Sequence, residues 1–125
     1  GADVSKLARR IFQKAMFNTG QTCTALKRLY VHSTQYEEMV SALGEHAQKQ
    51  LRFVGNGLDE GTLYGPLNNK MQLERIEELV RDAKENGARI VAGGVRANPA
   101  EAPDAYFFAP TIVADASDST RLVCE

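Results

Sequence analysis

The sequence predicts an α/β fold: layered helices on a small, mainly parallel sheet, with a strand-loop-strand unit near the C-terminus. Two observations carry this. Apolar residues recur at helical spacing in three separate segments, and short runs with a β bias lie between and after them. The resulting order is helix, strand, helix, loop, helix, strand, strand, which is the alternation of a layered α/β unit.

The first helix is predicted from Asp3, a capping residue, to about Phe17. Val4, Leu7, Ala8, Ile11, Phe12 and Ala15 form its apolar stripe, and Asn18 and Gly20 are stop residues. Residues 18–24 read as a polar loop, and a strand is predicted at about 27–32. Thr34 and Glu37 have capping-box spacing, ahead of a second stripe of Tyr36, Met39, Val40, Leu43, Ala47 and Leu51. Gly55, Asn56, Gly57, Gly61, Gly65 and Pro66 punctuate a long loop. Asn68 or Asn69 caps a third helix with Leu73, Ile76, Leu79, Val80 and Ala83 on its core face and Gly87 just past its end. Its Glu77 and Arg81 are spaced as a favourable exposed pair. Residues 88–92 and 106–113 read as strands, the second interrupted by Pro110, with a loop at 95–104 holding Pro99 and Pro103.

Composition narrows the function. The 125 residues make one domain, 43% hydrophobic and 25% charged, large enough to bury a core without metals or disulfides. Fifteen Lys and Arg against sixteen Asp and Glu leave a net charge of −1, which argues against nucleic acid as a partner. No apolar run approaches membrane-spanning length, and residues 1–20 lack the unbroken apolar stretch of a signal peptide. Two Cys do not make a disulfide framework, so a reducing, cytoplasmic setting is expected. No Cys or His pair has metal-ligand spacing, and no glycine-rich phosphate loop occurs. The chain opens on Gly1 and closes on Glu125 beside apolar residues, which reads as a fragment of something longer.

Cys23 is the residue that stands out. It sits in a small polar stretch, Asn18-Thr19-Gly20-Gln21-Thr22-Cys23-Thr24, between a helix and a predicted strand. A thiol on a loop held by rigid elements is where nucleophiles sit. A lone Cys is also, commonly, a small buried hydrophobe. The residues alone leave both readings open. No His or carboxylate is close in sequence, and the helix before the loop turns its negative end toward it. His32 and His46 read as structural, and Cys124 reads as a buried core thiol.

Phe17-Asn18-Thr19-Gly20-Gln21-Thr22-Cys23-Thr24-Ala25 resembles the cysteine signature of the aldehyde dehydrogenase superfamily. The resemblance continues in order along nearly the whole chain. Ala2-Asp3-Val4 resembles the start of the preceding helix, and Lys27-Arg28-Leu29-Tyr30-Val31 the following strand. Val54-Gly55-Asn56 with Gly65-Pro66-Leu67 resembles the family's long loop. Gly87-Ala88, Gly93-Gly94 and Tyr106-Phe107 with Pro110-Thr111-Ile112 resemble the next units, and Glu125 the first residue of a Glu-Glu-x-Phe-Gly-Pro segment.

The resemblance implies an enzyme that oxidises an aldehyde to an acid with NAD or NADP. Cys23 would be the nucleophile, forming a thiohemiacetal and, after hydride leaves to the nicotinamide, a thioester that water releases. The Cys23 N–H would be one oxyanion donor; the family's second donor, an Asn side chain, lies upstream. Asn18, Gly20 and Gln21 would support the loop. The family's glycine-rich cofactor region, general-base Glu, ribose-binding Glu and oligomerisation segment have no counterpart in residues 1–125. The chain therefore reads as the central part of a catalytic domain, with no cofactor-binding or metal site of its own and no turnover alone. Its parent would be a homo-oligomer, and faces meant for other parts of that parent would make the fragment self-associate. Three rivals remain: a non-catalytic scaffold or binding module of the same fold, a redox-sensing or acyl-transfer thiol domain, and an interaction domain with an inert Cys23.

Overall fold

A computed structural model describes residues 3–97, 102 and 104–125. Gly1, Ala2, Pro99 and Pro103 of the predicted ends and loop lie outside the described residues. Helix α1 spans Val4–Met16, α2 Tyr36–Gln50, α3 Lys70–Glu85 and the short α4 Arg121–Cys124. Strands β1, Arg89–Ala92, and β2, Ile112–Ala114, pair antiparallel with an irregularity between Ile90 and Ala92.

Each long helix follows its sequence. Asp3 accepts the Lys6 N–H at 3.1 Å, satisfying one orphan donor of α1, and Val4, Ala8 and Phe12 are buried. Asn69, rather than Asn68, caps α3 by accepting the Gln72 N–H at 2.9 Å. Gly87 takes φ +88 after α3, and the Ala88 N–H closes back on the Ala83 carbonyl at 2.9 Å.

Two apolar clusters form. The first joins α1 to α2 around Phe12, fully buried, with Met39, Leu43, Ala47 and Tyr64. Phe12 meets His46 and Tyr64 edge-on, at centroid distances of 4.9 and 6.3 Å. The second gathers Leu73, Val80 and Phe108, with Leu67, Ile76 and Ile90 against them. Helix α2 also reaches the sheet through Gly44. A Cβ there would stand 2.6 Å from Val91 Cγ1, so a side chain would push α2 off β1. At the other end of α2, Arg89 forks onto Glu37 and binds Asp115 at 2.9 Å. The Tyr36 hydroxyl donates to Asp115 Oδ1 at 2.7 Å. That bond, then Arg89, holds the Asp115 carboxyl below its ordinary value.

Several expectations are corrected. The sheet is a two-stranded antiparallel pair, not mainly parallel; the one parallel element among the described residues is an isolated bridge, Val54 to Tyr64. The 19-residue connection between Ala92 and Ile112 has no helix among its described residues and brings β2 back beside β1, a return that allows antiparallel pairing. The predicted strand at 27–32 is irregular backbone, because among the described residues no strand lies beside it to complete a ladder. The predicted strand at 106–113 shrinks to β2, with Phe108 bridging Arg96; Pro110 has no N–H to extend the ladder. The Thr34–Glu37 capping box does not form. A 3₁₀ turn at Ser33–Gln35 precedes α2, Thr34 bonds His32, and Glu37 goes to Arg89. Glu77 pairs with Arg96 at 2.9 Å in place of Arg81. Cys124 is exposed, its thiol donating to the Asp118 carbonyl at 3.1 Å, because α4 lies at the surface.

Candidate functional site

The loop after α1 takes an uncommon backbone path. Asn18, Thr19 and Gly20 have φ of +50, +56 and +74 in succession. Asn and Gly tolerate this left-handed region, but a β-branched Thr is strained there, at a cost of order 1–3 kcal/mol. The turn reverses the chain at the end of α1 and closes with the Gln21 N–H on the Asn18 carbonyl at 3.0 Å. Asn18 Nδ2 donates to the Gln21 carbonyl at 3.3 Å, and the Lys27 ammonium donates to the Gly20 carbonyl at 2.7 Å. The Thr22 hydroxyl donates to the Phe17 carbonyl at 3.4 Å.

A second loop supports the first. Thr19 Oγ1 donates to the Gly65 carbonyl at 3.2 Å, and Gln21 Nε2 to the Pro66 carbonyl at 3.2 Å. The Asn68 N–H donates to Gln21 Oε1 at 2.8 Å. Both ends of one amide side chain are thus used. Cys23 follows this clamp with its thiol-bearing residue exposed. Among the described residues its N–H has no hydrogen-bond partner.

Of the residues singled out from sequence, Asn18, Gly20, Gln21 and Cys23 therefore stand together. His32 and His46 do not join them. His32 caps the 3₁₀ turn before α2. His46 packs edge-on to Phe12, and burial, with Arg9 and Lys49 nearby, holds it below its ordinary value. The groove between α1 and α2, about 450 Å³ and lined by Arg9, Glu38, Glu45, His46 and Lys49, does not include Cys23. Thr19, Lys27 and segment 65–68 were not legible as partners of the loop. In the sequence Gly65 and Pro66 stand only as punctuation of a long loop.

No group of three or more His, Cys, Asp or Glu among the described residues is placed to hold a metal. Among the described residues the two strands are antiparallel and no glycine-rich turn leads from a strand into a helix, so they form no strand-turn-helix cradle for a dinucleotide. No helix among the described residues is long and apolar enough to cross a membrane.

Comparison with known proteins agrees along the whole length. Residues 1–125 match the model of the aldehyde dehydrogenase family. A 3-sulfolactaldehyde dehydrogenase of Priestia aryabhattai is 39% identical over 121 residues, 97% of this chain and 24% of that protein. A mitochondrial aldehyde dehydrogenase of Leishmania tarentolae is 39% identical over 124 residues, 99% of this chain and 24% of its own length. Betaine aldehyde dehydrogenase from Staphylococcus aureus, solved with NAD+ and a BME-modified cysteine, matches with a TM-score of 0.90 at 31% identity. That match covers 99% of this chain and 24% of the solved one. The chain thus spans about a quarter of the length of these relatives. With the family model matched from end to end, this chain belongs to the aldehyde dehydrogenase family.

Proposed function

We propose that this chain is the part of an NAD(P)-dependent aldehyde dehydrogenase catalytic domain that supplies the nucleophile, Cys23. The observation that carries the reading is an exposed thiol following a strained turn that two loops hold in place. Strain held by surrounding bonds is characteristic of sites that must be preorganised.

In this reading the Cys23 thiolate adds to the carbonyl carbon of an aldehyde. The new C–S bond forms as the carbonyl π pair moves to oxygen, and the Cys23 N–H donates to that oxygen. A sulfur nucleophile suits the task because its acyl adduct remains reactive toward water. Asn18, Gly20 and Gln21 hold the loop and touch no substrate. The general base and the nicotinamide site, together with the oligomer contacts, belong to the rest of a longer, cytoplasmic, homo-oligomeric parent. The 125-residue chain alone has no turnover.

The test is Cys23→Ser in that parent. Aldehyde-dependent NAD(P) reduction is expected to fall by about three orders of magnitude or more. Retained turnover overturns the nucleophile role. Substantial NAD(P) reduction by the purified 125-residue chain overturns the division of labour.

A further inference from the structure

We infer that segment 65–68 is a platform that positions Cys23, and that Thr19 and Gln21 are the positioning residues that read it. The inference rests on Cys23 being the nucleophile and adds what fixes its place.

Three hydrogen bonds, each spanning about 46 residues of sequence, join the cysteine loop to this segment: Thr19 to Gly65, Gln21 to Pro66 and Asn68 to Gln21. The platform is itself rigid. Leu67 packs on the cluster of Leu73, Val80 and Phe108, and its N–H donates to the Tyr106 carbonyl at 2.8 Å. Asn69, the next residue but one, caps α3. The cysteine loop leaves α1, which belongs to the other cluster. The loop is therefore held from both cores at once. A left-handed Thr19 whose hydroxyl is spent on a distant carbonyl has no role in α1 itself, whose last residue is Met16. The bond to Gly65 is what holds this strained turn against the platform, with Cys23 four residues on.

The test places Thr19→Val, which keeps the β-branched shape but loses the donor, and Gln21→Leu in the parent enzyme. Thr19→Ser is the conservative control. Either of the first two is expected to lower kcat about tenfold with KM within about twofold, because a displaced nucleophile binds substrate as before but attacks poorly. Thr19→Ser should restore kcat. Native kcat in both variants, or a Thr19→Ser as impaired as Thr19→Val, overturns the platform. Turnover surviving in Cys23→Ser overturns the nucleophile reading instead, so the two failures are distinguishable. Should a variant fail to fold, hydrogen exchange on the unsubstituted parent enzyme decides. The Asn68 N–H, bonded to Gln21 Oε1, is expected to be protected like that of Leu67; exchange at the rate of a free loop overturns the proposal.

Discussion

The stretches on either side of Cys23 are opposites. Before it, residues 17–22 form a tight turn in which Asn18, Thr19, Gln21 and Thr22 each spend a side chain on a backbone carbonyl. After it, residues 24–32 run as irregular backbone with Leu26, Leu29 and Tyr30 exposed at 47%, 43% and 85%. The first stretch is specified by bonds within the chain. The second has a strand's composition but no ladder to join. Hydrogen bonds within the turn and to the Gly65-Pro66 segment thus hold the residues before the thiol, whereas pairing of the residues after it requires a neighbouring strand. Breaking the first stretch should therefore be costly in this chain alone, and altering the second should not.

The largest expected effect comes from removing what anchors the first stretch. Phe12 is fully buried between α1, α2 and Tyr64, so Phe12→Ala leaves a cavity where both rings met. A loss of about 3–5 kcal/mol is expected, much of a small domain's stability. Urea denaturation followed by circular dichroism measures it. A loss under about 1 kcal/mol would mean that the first cluster does not hold α1 and α2 together.

Next comes the turn itself. Gly20 has φ +74, and a Cβ there would lie 3.4 Å from the Ala15 carbonyl, an ordinary contact. The penalty of Gly20→Ala is therefore conformational, about 1–2 kcal/mol. Denaturation midpoints check the size. An equal midpoint would show that the turn relaxes out of its left-handed path.

The same contrast explains what was legible. Helix α1 could be bounded from Asp3 and Asn18, and α3 from Asn68 or Asn69 and Gly87, because caps are local chemistry; the structure decides for Asn69. Asn18, Gly20 and Gln21 could be assigned to loop support because the family signature places them there, though not with whom they bond. That depends on Gly65, Pro66 and Asn68, some 46 residues away, where no periodicity points. Long-range competition also spoiled the local rules. Glu37 had the spacing for a capping box, but Arg89 from β1 took it, and Glu77 went to Arg96 rather than to its helical neighbour. Run order alone does not say which strands meet, so it does not exclude the antiparallel pair that Arg89–Ala92 and Ile112–Ala114, consecutive in sequence, form here.

A smaller effect is pH-dependent and tests the support beneath the turn. Burial disfavours the His46 imidazolium, and Arg9 and Lys49 add repulsion, so His46 titrates below its ordinary 6.5. The unfolded chain then takes up more protons than the folded one as pH falls. The stability from the neutral ring is complete above 6.5 and is lost as pH drops through the depressed folded value. Thermal midpoints should decline as pH falls below 6.5 in the native chain and less in His46→Gln. Equal slopes would remove His46 from the pH response. Carboxylates such as Asp115, held low by Tyr36 and Arg89, act only below their ordinary 3.8.

The smallest effect on folding stability is expected after the thiol, at Tyr30. Its side chain is 85% exposed, so Tyr30→Ser removes almost no burial within this chain, and the change should lie within about 0.5 kcal/mol. Association is a different matter. Leu26, Leu29 and Tyr30 together present apolar surface on a backbone whose N–H and C=O groups are not in a sheet, a combination that favours pairing between copies. Tyr30→Ser combined with Leu29→Ser should reduce the concentration-dependent rise in mass seen by light scattering while leaving the urea midpoint in place. If the pair of substitutions instead lowers the midpoint by more than about 1 kcal/mol, this stretch is packed in the free chain and the contrast across Cys23 disappears. If the midpoint holds but association does not fall, the stretch is unpartnered yet is not the surface through which copies meet.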